Sequence, residues 1–188
     1  MGGPASKSRY LPAEDTHLLR SALRPYSGNA CLEIGFGSGA IISSVSERFE
    51  LAVGTDIQPL DEAKLALQPR VELVLADRAT PFRDGVFDLV FFNPPYLPSG
   101  QVEDETVDGG PSGVDVSISF LEESLRVASK KGVIVALLST EGDVDSFLSH
   151  CRDLGLEVDS IDEKKLFYET LYVFTIERGE ESLESRQS

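Results

Sequence analysis

The chain has 188 residues, 41% hydrophobic and 26% charged, enough for one globular domain that buries roughly 70% of its unfolded surface. Asp and Glu number 32 against 17 Lys and Arg, a formal net charge of −15, which disfavours an unassisted grip on nucleic-acid phosphates and suits a basic protein partner. No apolar run approaches the ~20 residues that span a bilayer, and no signal-peptide pattern opens the chain.

Residues 1–8 read as a disordered leader, although Met1 to Ser6 fits the loose myristoylation pattern Met-Gly-x-x-x-Ser. Residues 9–178 read as one domain and residues 179–188 as a disordered tail. Within the domain, residues 13–23 carry Leu18, Leu19 and Leu23 at helical spacing. Apolar runs at 30–34, 51–55, 71–76, 87–92 and 132–138 read as strands, with helices at 40–49, 61–67, 117–129 and 144–154 between or after them. Residues 156–161 and 166–176 read as a last pair of strands with no room for a helix between them, so they run antiparallel. Alternation of this kind specifies an α/β fold with a mostly parallel sheet covered on both faces. Cys31 falls at the first core strand and Cys151 in a helix; neither has metal-ligand spacing, and a reduced, cytoplasmic protein is expected.

Open α/β sheets bind ligands beyond the carboxyl ends of their strands, and the unusual residues collect there. Glu33 lies near the end of the first strand, and Gly35, Gly37 and Gly39 follow it. The glycines permit a tight turn and close backbone approach to a ligand. They also read as a dinucleotide fingerprint, Gly-x-Gly-x-x-Ala, with Asp56 about twenty residues on, or as a plain structural turn. Asp56 ends the second strand, where a carboxylate can accept from both hydroxyls of a ribose or cap a turn. Asp77 ends the third, where it can accept from the exocyclic amine of adenine while the Arg78 backbone addresses the ring. Glu33 sits in a buried strand, so its charge needs a hydrogen-bonding partner; the amino group of a methionine moiety is one.

Asn93-Pro94-Pro95-Tyr96 follows the strand at 87–92, apolar apart from Asp88. Proline locks its own φ and restricts the residue before it, so Asn93 and Pro94 are held extended. The Asn93 side-chain oxygen and the Pro94 carbonyl then form two fixed acceptors, matching the two hydrogens of a planar NH₂ group. Such a nitrogen is a poor nucleophile. Holding both its N–H bonds orients it and stabilises the positive charge that develops as it takes a methyl group. Tyr96 offers a flat wall. A rigid strand-ending turn without chemistry is the simpler alternative.

Taken together, Glu33-x-Gly35-x-Gly37-x-Gly39, Asp56, Asp77 and Asn93-Pro-Pro-Tyr96 resemble class I methyltransferases of the amino-group type. Tyr10-Leu-Pro12-Ala-Glu14-Asp15-Thr16 and Gly109-Gly110-Pro-Ser-Gly113 resemble the short archaeal and eukaryotic branch of HemK-type glutamine methyltransferases. The resemblance implies a single-domain, Rossmann-like, seven-stranded class I methyltransferase sheet with a C-terminal antiparallel strand pair. It implies S-adenosyl-L-methionine as cofactor, contacted by Thr16, Glu33, Gly35, Gly37, Gly39, Asp56, Asp77, Arg78 and Asn93, with no metal in the site. It implies catalysis by Asn93, Pro94, Pro95 and Tyr96 on the glutamine of the Gly-Gly-Gln loop of a peptide-chain release factor. A small zinc-binding activator subunit is the implied partner in a heterodimer, pairing with the exposed edge strand at 71–76. Arg78 departs from the apolar residue usual at its position, so only its backbone carries over. Glu14 and Asp15 also suit the start of a helix through its dipole. Adenine-N6 methylation of nucleic acid and protein-lysine methylation are alternative activities, and an NAD-binding dehydrogenase or nucleotide-sensing module is an alternative of another class.

Overall fold

A computed structural model describes residues 14–58, 70–95 and 114–179. The elements run α1 (Glu14–Ala22), β1 (Gly28–Ile34), α2 (Ala40–Val45), β2 (Phe49–Asp56), β3 (Val71–Leu75), β4 (Phe87–Phe92), α3 (Asp115–Val127), β5 (Ala128–Ser139), α4 (Val144–Asp153), β6 (Leu156–Lys165) and β7 (Thr170–Arg178). The expected helix at 61–67, Tyr96, and the glycine segment at 109–113 lie outside the described residues, as do the whole leader and all of the tail but Gly179.

Seven strands form one sheet in the order β3-β2-β1-β4-β5-β7-β6. The first five are parallel, and β7 runs antiparallel to both β5 and β6. The expected class I methyltransferase architecture is therefore the one present, with the expected antiparallel pair closing it and β3 at an edge.

Period-2 alternation explains how one strand serves two cores. On β4, Val90 and Phe92 join a buried cluster with Leu32, Ile34, Leu121 and Phe147. Leu89 and Phe91 join a second cluster with Leu18, Leu19, Ile42 and Leu137. Both faces are covered, so the strand reads as an apolar run from Leu89 to Phe92.

Three boundaries differ from expectation. The helix expected to reach residue 49 ends at Val45; a 3₁₀ turn spans Ser46–Arg48, and Phe49, almost wholly buried, opens β2 by pairing with Gly28. β5 begins at Ala128 rather than 132, with a register shift opposite Phe87 and Leu89. Gly132 permits it, since a Cβ there would lie 2.6 Å from the Phe87 carbonyl oxygen. β6 extends to Lys165, where the ladder still pairs with Thr170; its outer residues are polar and give no apolar signal. No helix among the described residues is long and apolar enough to cross a membrane.

The strand order reverses between β1 and β4, as the chain fills one half of the sheet and then the other. The crevice beyond their carboxyl ends is the topological switch point of this fold.

Candidate functional site

The glycine turn connects β1 to α2. The Gly35 and Phe36 N–H groups both donate to the Thr55 carbonyl, at 2.7 and 3.1 Å, and Gly39 N–H donates to Phe36 at 2.8 Å. Gly35, Gly37 and Gly39 have φ of 75°, 51° and 70°, a region that costs L-residues roughly 1–2 kcal/mol each. A Cβ on Gly37 would meet nothing within 4 Å among the described residues, so they leave the turn open to a ligand on that side.

Glu33 shares a strand face with Cys31 and looks toward α2. It is 2% exposed, and its Oε2 accepts from the Ile42 N–H at 2.8 Å, satisfying a donor of the first helical turn. Burial pushes the Glu33 carboxyl well above the usual carboxylate range; the Ile42 bond opposes this, and the nearby Asp56 adds to it. A carboxyl so placed is relieved by a cation.

Asp56 accepts from Gly37 N–H at 3.0 Å through Oδ2 and from Gln58 N–H at 2.9 Å through Oδ1. It therefore ties the glycine turn to the end of β2, and a carboxylate with about four acceptor sites retains capacity for further donors. Asp77 is held bidentately by Arg78, with Nε–Oδ1 at 2.9 Å and Nη2–Oδ2 at 2.7 Å. The Arg78 guanidinium keeps Asp77 below the usual carboxylate range, with partial burial opposing. Arg78 has φ 52°, uncommon for a non-glycine residue and enriched at functional sites.

Asn93 follows Phe92, so alternation turns it to the face shared by Phe91 and α1. There its Nδ2 donates to Asp15 Oδ2 at 2.9 Å. The other oxygen, Asp15 Oδ1, accepts from Thr16 N–H at 2.6 Å. Asp15 is 5% exposed, far from the solvated acid of an ordinary first helical turn. Asn93 Oδ1 is buried and has no hydrogen-bond partner among the described residues. Pro94 is buried behind it. The structure thus brings Thr16, Glu33, the glycine turn, Asp56, Asp77, Arg78, Asn93, Pro94 and Pro95 to one end of the sheet. Asp15 was missed as a site residue: an acid at a helix start has a sufficient local explanation, and only its burial against Asn93 contradicts that explanation.

A family model described as a methyltransferase domain matches residues 32–94, the span from β1 through the glycine turn to Pro94. A Methanocaldococcus jannaschii protein provisionally named protein N5-glutamine methyltransferase is 32% identical over 182 residues, covering 87% of this chain and 89% of that protein. The mouse protein Methyltransferase HEMK2 is 29% identical, with 84% of each chain covered. A chain of the E. cuniculi Mtq2–Trm112 complex, responsible for methylating the translation termination factor eRF1, superposes with TM-score 0.74 at 26% identity, covering 90% of this chain and 98% of that one. The chain belongs to the HemK-type family of protein N5-glutamine methyltransferases.

Proposed function

We propose that this enzyme methylates the side-chain amide nitrogen of the glutamine in the Gly-Gly-Gln loop of a peptide-chain release factor, in the cytoplasm, with S-adenosyl-L-methionine as donor. The observation that carries the reading is the orientation of Asn93: with Nδ2 committed to Asp15, its buried oxygen has no hydrogen-bond partner among the described residues and is an acceptor left at the carboxyl end of β4. A buried acceptor left unsatisfied costs about 1–3 kcal/mol, and a substrate N–H removes that cost.

The residues present fit the donor molecule. Glu33 offers a buried carboxylate to its ammonium group, Asp56 a carboxylate to its ribose, and Asp77 with the Arg78 backbone a donor–acceptor edge to its adenine. Thr16 lies beside Asp15 at the start of α1, and the glycine turn lets backbone approach closely. When bound, the donor supplies an electrophilic methyl group. The chain's own part is to hold the glutamine amide through Asn93 Oδ1 and the Pro94 carbonyl, with Tyr96 as a wall. Two acceptors fix the NH₂ plane and stabilise the positive charge on nitrogen as the new N–C bond forms and the donor's S–C bond breaks; the nitrogen then gives up one proton to solvent. Asp15 is a positioning residue in this scheme, because it decides which end of the Asn93 amide faces the substrate.

The same reading assigns a small zinc-binding activator subunit to the β3 edge. β3 pairs only with β2 in the described sheet, and Leu75 on it is 65% exposed. An unpaired, partly apolar edge is a template for strand addition. The chain similar to this one in the E. cuniculi structure was solved as a two-protein complex.

The test is methylation of a release factor and of its variant with the loop glutamine replaced by alanine, followed by peptide mass spectrometry. One methyl group on that glutamine, and none on the variant, is expected; a methyl group placed on lysine or on nucleic acid instead defeats the reading.

A further inference from the structure

Phe167 and Tyr168 form the tip of the β6–β7 hairpin and are 90% and 86% exposed, more than any other large apolar side chain among the described residues. Their rings meet edge-on, with centroids 4.7 Å apart. Burying an aromatic side chain is favourable, so two adjacent rings held in water forgo a gain that the fold does not claim. The tip is not a loose loop. Leu166 N–H donates to the Glu169 carbonyl at 2.8 Å, and Thr140 N–H to the Thr170 carbonyl at 3.0 Å. Thr170 N–H donates to Thr140 Oγ1 at 2.9 Å, and the Ser139 hydroxyl donates to the Glu169 carboxylate.

The register places this tip on the rim of the site. Phe92, just before Asn93, pairs with Ala136 of β5, while Ser139 pairs with Leu171 of β7; the hairpin therefore overhangs the carboxyl end of the parallel strands. β7 lies two strands from β4, roughly 10 Å across the sheet, and the tip extends about 15 Å further along the strand direction. That is too far to touch a glutamine held at Asn93, yet well inside the footprint of a standard interface, about 800 Å² per partner or roughly 30 Å across. α1 links the two places, since Glu14 pairs with Lys164 and Asp15 with Asn93.

The surroundings are acidic. Glu141, Asp143 and Asp145 follow β5, and Asp162, Glu163 and Glu169 flank the tip, against Lys164, which is paired with Glu14, and Lys165. Aromatic faces beside carboxylates bind the cationic heads and aliphatic stems of Lys and Arg.

We propose that the Phe167–Tyr168 tip is a docking point for the protein that carries the target glutamine, engaging a Lys- or Arg-bearing surface beside its loop. The inference rests on the function proposed above and names where the substrate protein is gripped away from the reacting atoms.

The test is steady-state methylation of an intact release factor by the protein as it co-purifies, comparing wild type, Phe167→Ser/Tyr168→Ser and Phe167→Tyr/Tyr168→Phe. For the serine variant KM rises about tenfold, the scale of losing an aromatic anchor, while kcat, the affinity for S-adenosyl-L-methionine and the thermal midpoint stay near wild type. The aromatic exchange restores KM to within about twofold. An unchanged KM in the serine variant, or a loss carried by kcat, overturns the docking role alone. No methylation by the wild-type protein overturns the proposed function and this inference with it.

Discussion

Asn93 Nδ2 lies 2.9 Å from Asp15 Oδ2, joining residues 78 positions apart in sequence. A carboxylate can only accept, so this contact settles the direction of the asparagine amide: nitrogen toward Asp15 of α1, oxygen away from it. Asp15→Ala is expected to lower kcat by about 10–100-fold, the scale of a mispositioned catalytic group, with cofactor affinity within about threefold. Asp15→Asn should lose nearly as much, because an amide there can donate to Asn93 Oδ1 and reverse it. Wild-type turnover in Asp15→Asn, measured under single-turnover conditions, contradicts the positioning role.

Glu33 makes the folded protein pH-sensitive. Burial raises its carboxyl above the ordinary value of 4.5, so the folded state holds this proton more tightly than the unfolded state. Its contribution to stability is fully present below the unfolded value and is lost as pH rises through the folded one. Glu33→Gln is neutral throughout. From about pH 4.5 upward the ligand-free wild type should therefore lose stability relative to Glu33→Gln, by urea denaturation at a series of pH values. The variant should also bind S-adenosyl-L-methionine about tenfold or more weakly, having lost a charged acceptor. A wild type that gains on the variant over that interval is the contrary result.

Gly54 on β2 faces the glycine turn. A Cβ there would lie 2.8 Å from Leu73 Cδ2 and 3.0 Å from Phe36 Cβ. The leucine tip can yield; Phe36 is held by its own backbone bond to Thr55. Gly54→Ala is expected to cost about 1–3 kcal/mol as overpacking and to weaken cofactor binding by displacing the turn. Calorimetry together with isothermal titration checks both, and an alanine variant of unchanged stability and affinity contradicts the packing described.

Arg126 on α3 clasps the connection from β3 to β4. Nη1 donates to the Phe82 carbonyl at 2.8 Å and to Asp84 at 3.0 Å; Nη2 donates to the Ala79 carbonyl and to Glu123, both at 2.8 Å. Lysine cannot reproduce this fork. Arg126→Lys should cost about 1–3 kcal/mol, lowering the thermal midpoint by about 3–8 °C. A midpoint within a degree or so of wild type by calorimetry rules out such a clasp.

Much of this was legible before any coordinates. The apolar runs of β1, β4 and β5 and the helices between them specify a covered parallel sheet, and two prolines after Asn93 specify a rigid corner on their own. Residues whose role depends on distant neighbours were not legible. β6 looked short because its last four residues, Asp162, Glu163, Lys164 and Lys165, are all charged, and a ladder's hydrogen bonds leave no mark on composition. The left-handed backbone of Arg78 and its grip on Asp77 are choices of φ and rotamer that tertiary context makes. Asp15 carried an adequate local reason for being acidic, which hid a long-range one.

In the proposed reaction the buried oxygen of Asn93 receives the substrate amide. Asn93→Ala removes that oxygen and leaves Glu33, Asp56 and Asp77 in place. Single-turnover transfer to the release-factor glutamine, measured alongside S-adenosyl-L-methionine affinity, tests it most directly. Transfer should fall by at least about 10²–10³-fold, as when one preorganised partner of the transition state is lost, with affinity changed by less than about tenfold. Turnover near wild type in this variant would contradict the account.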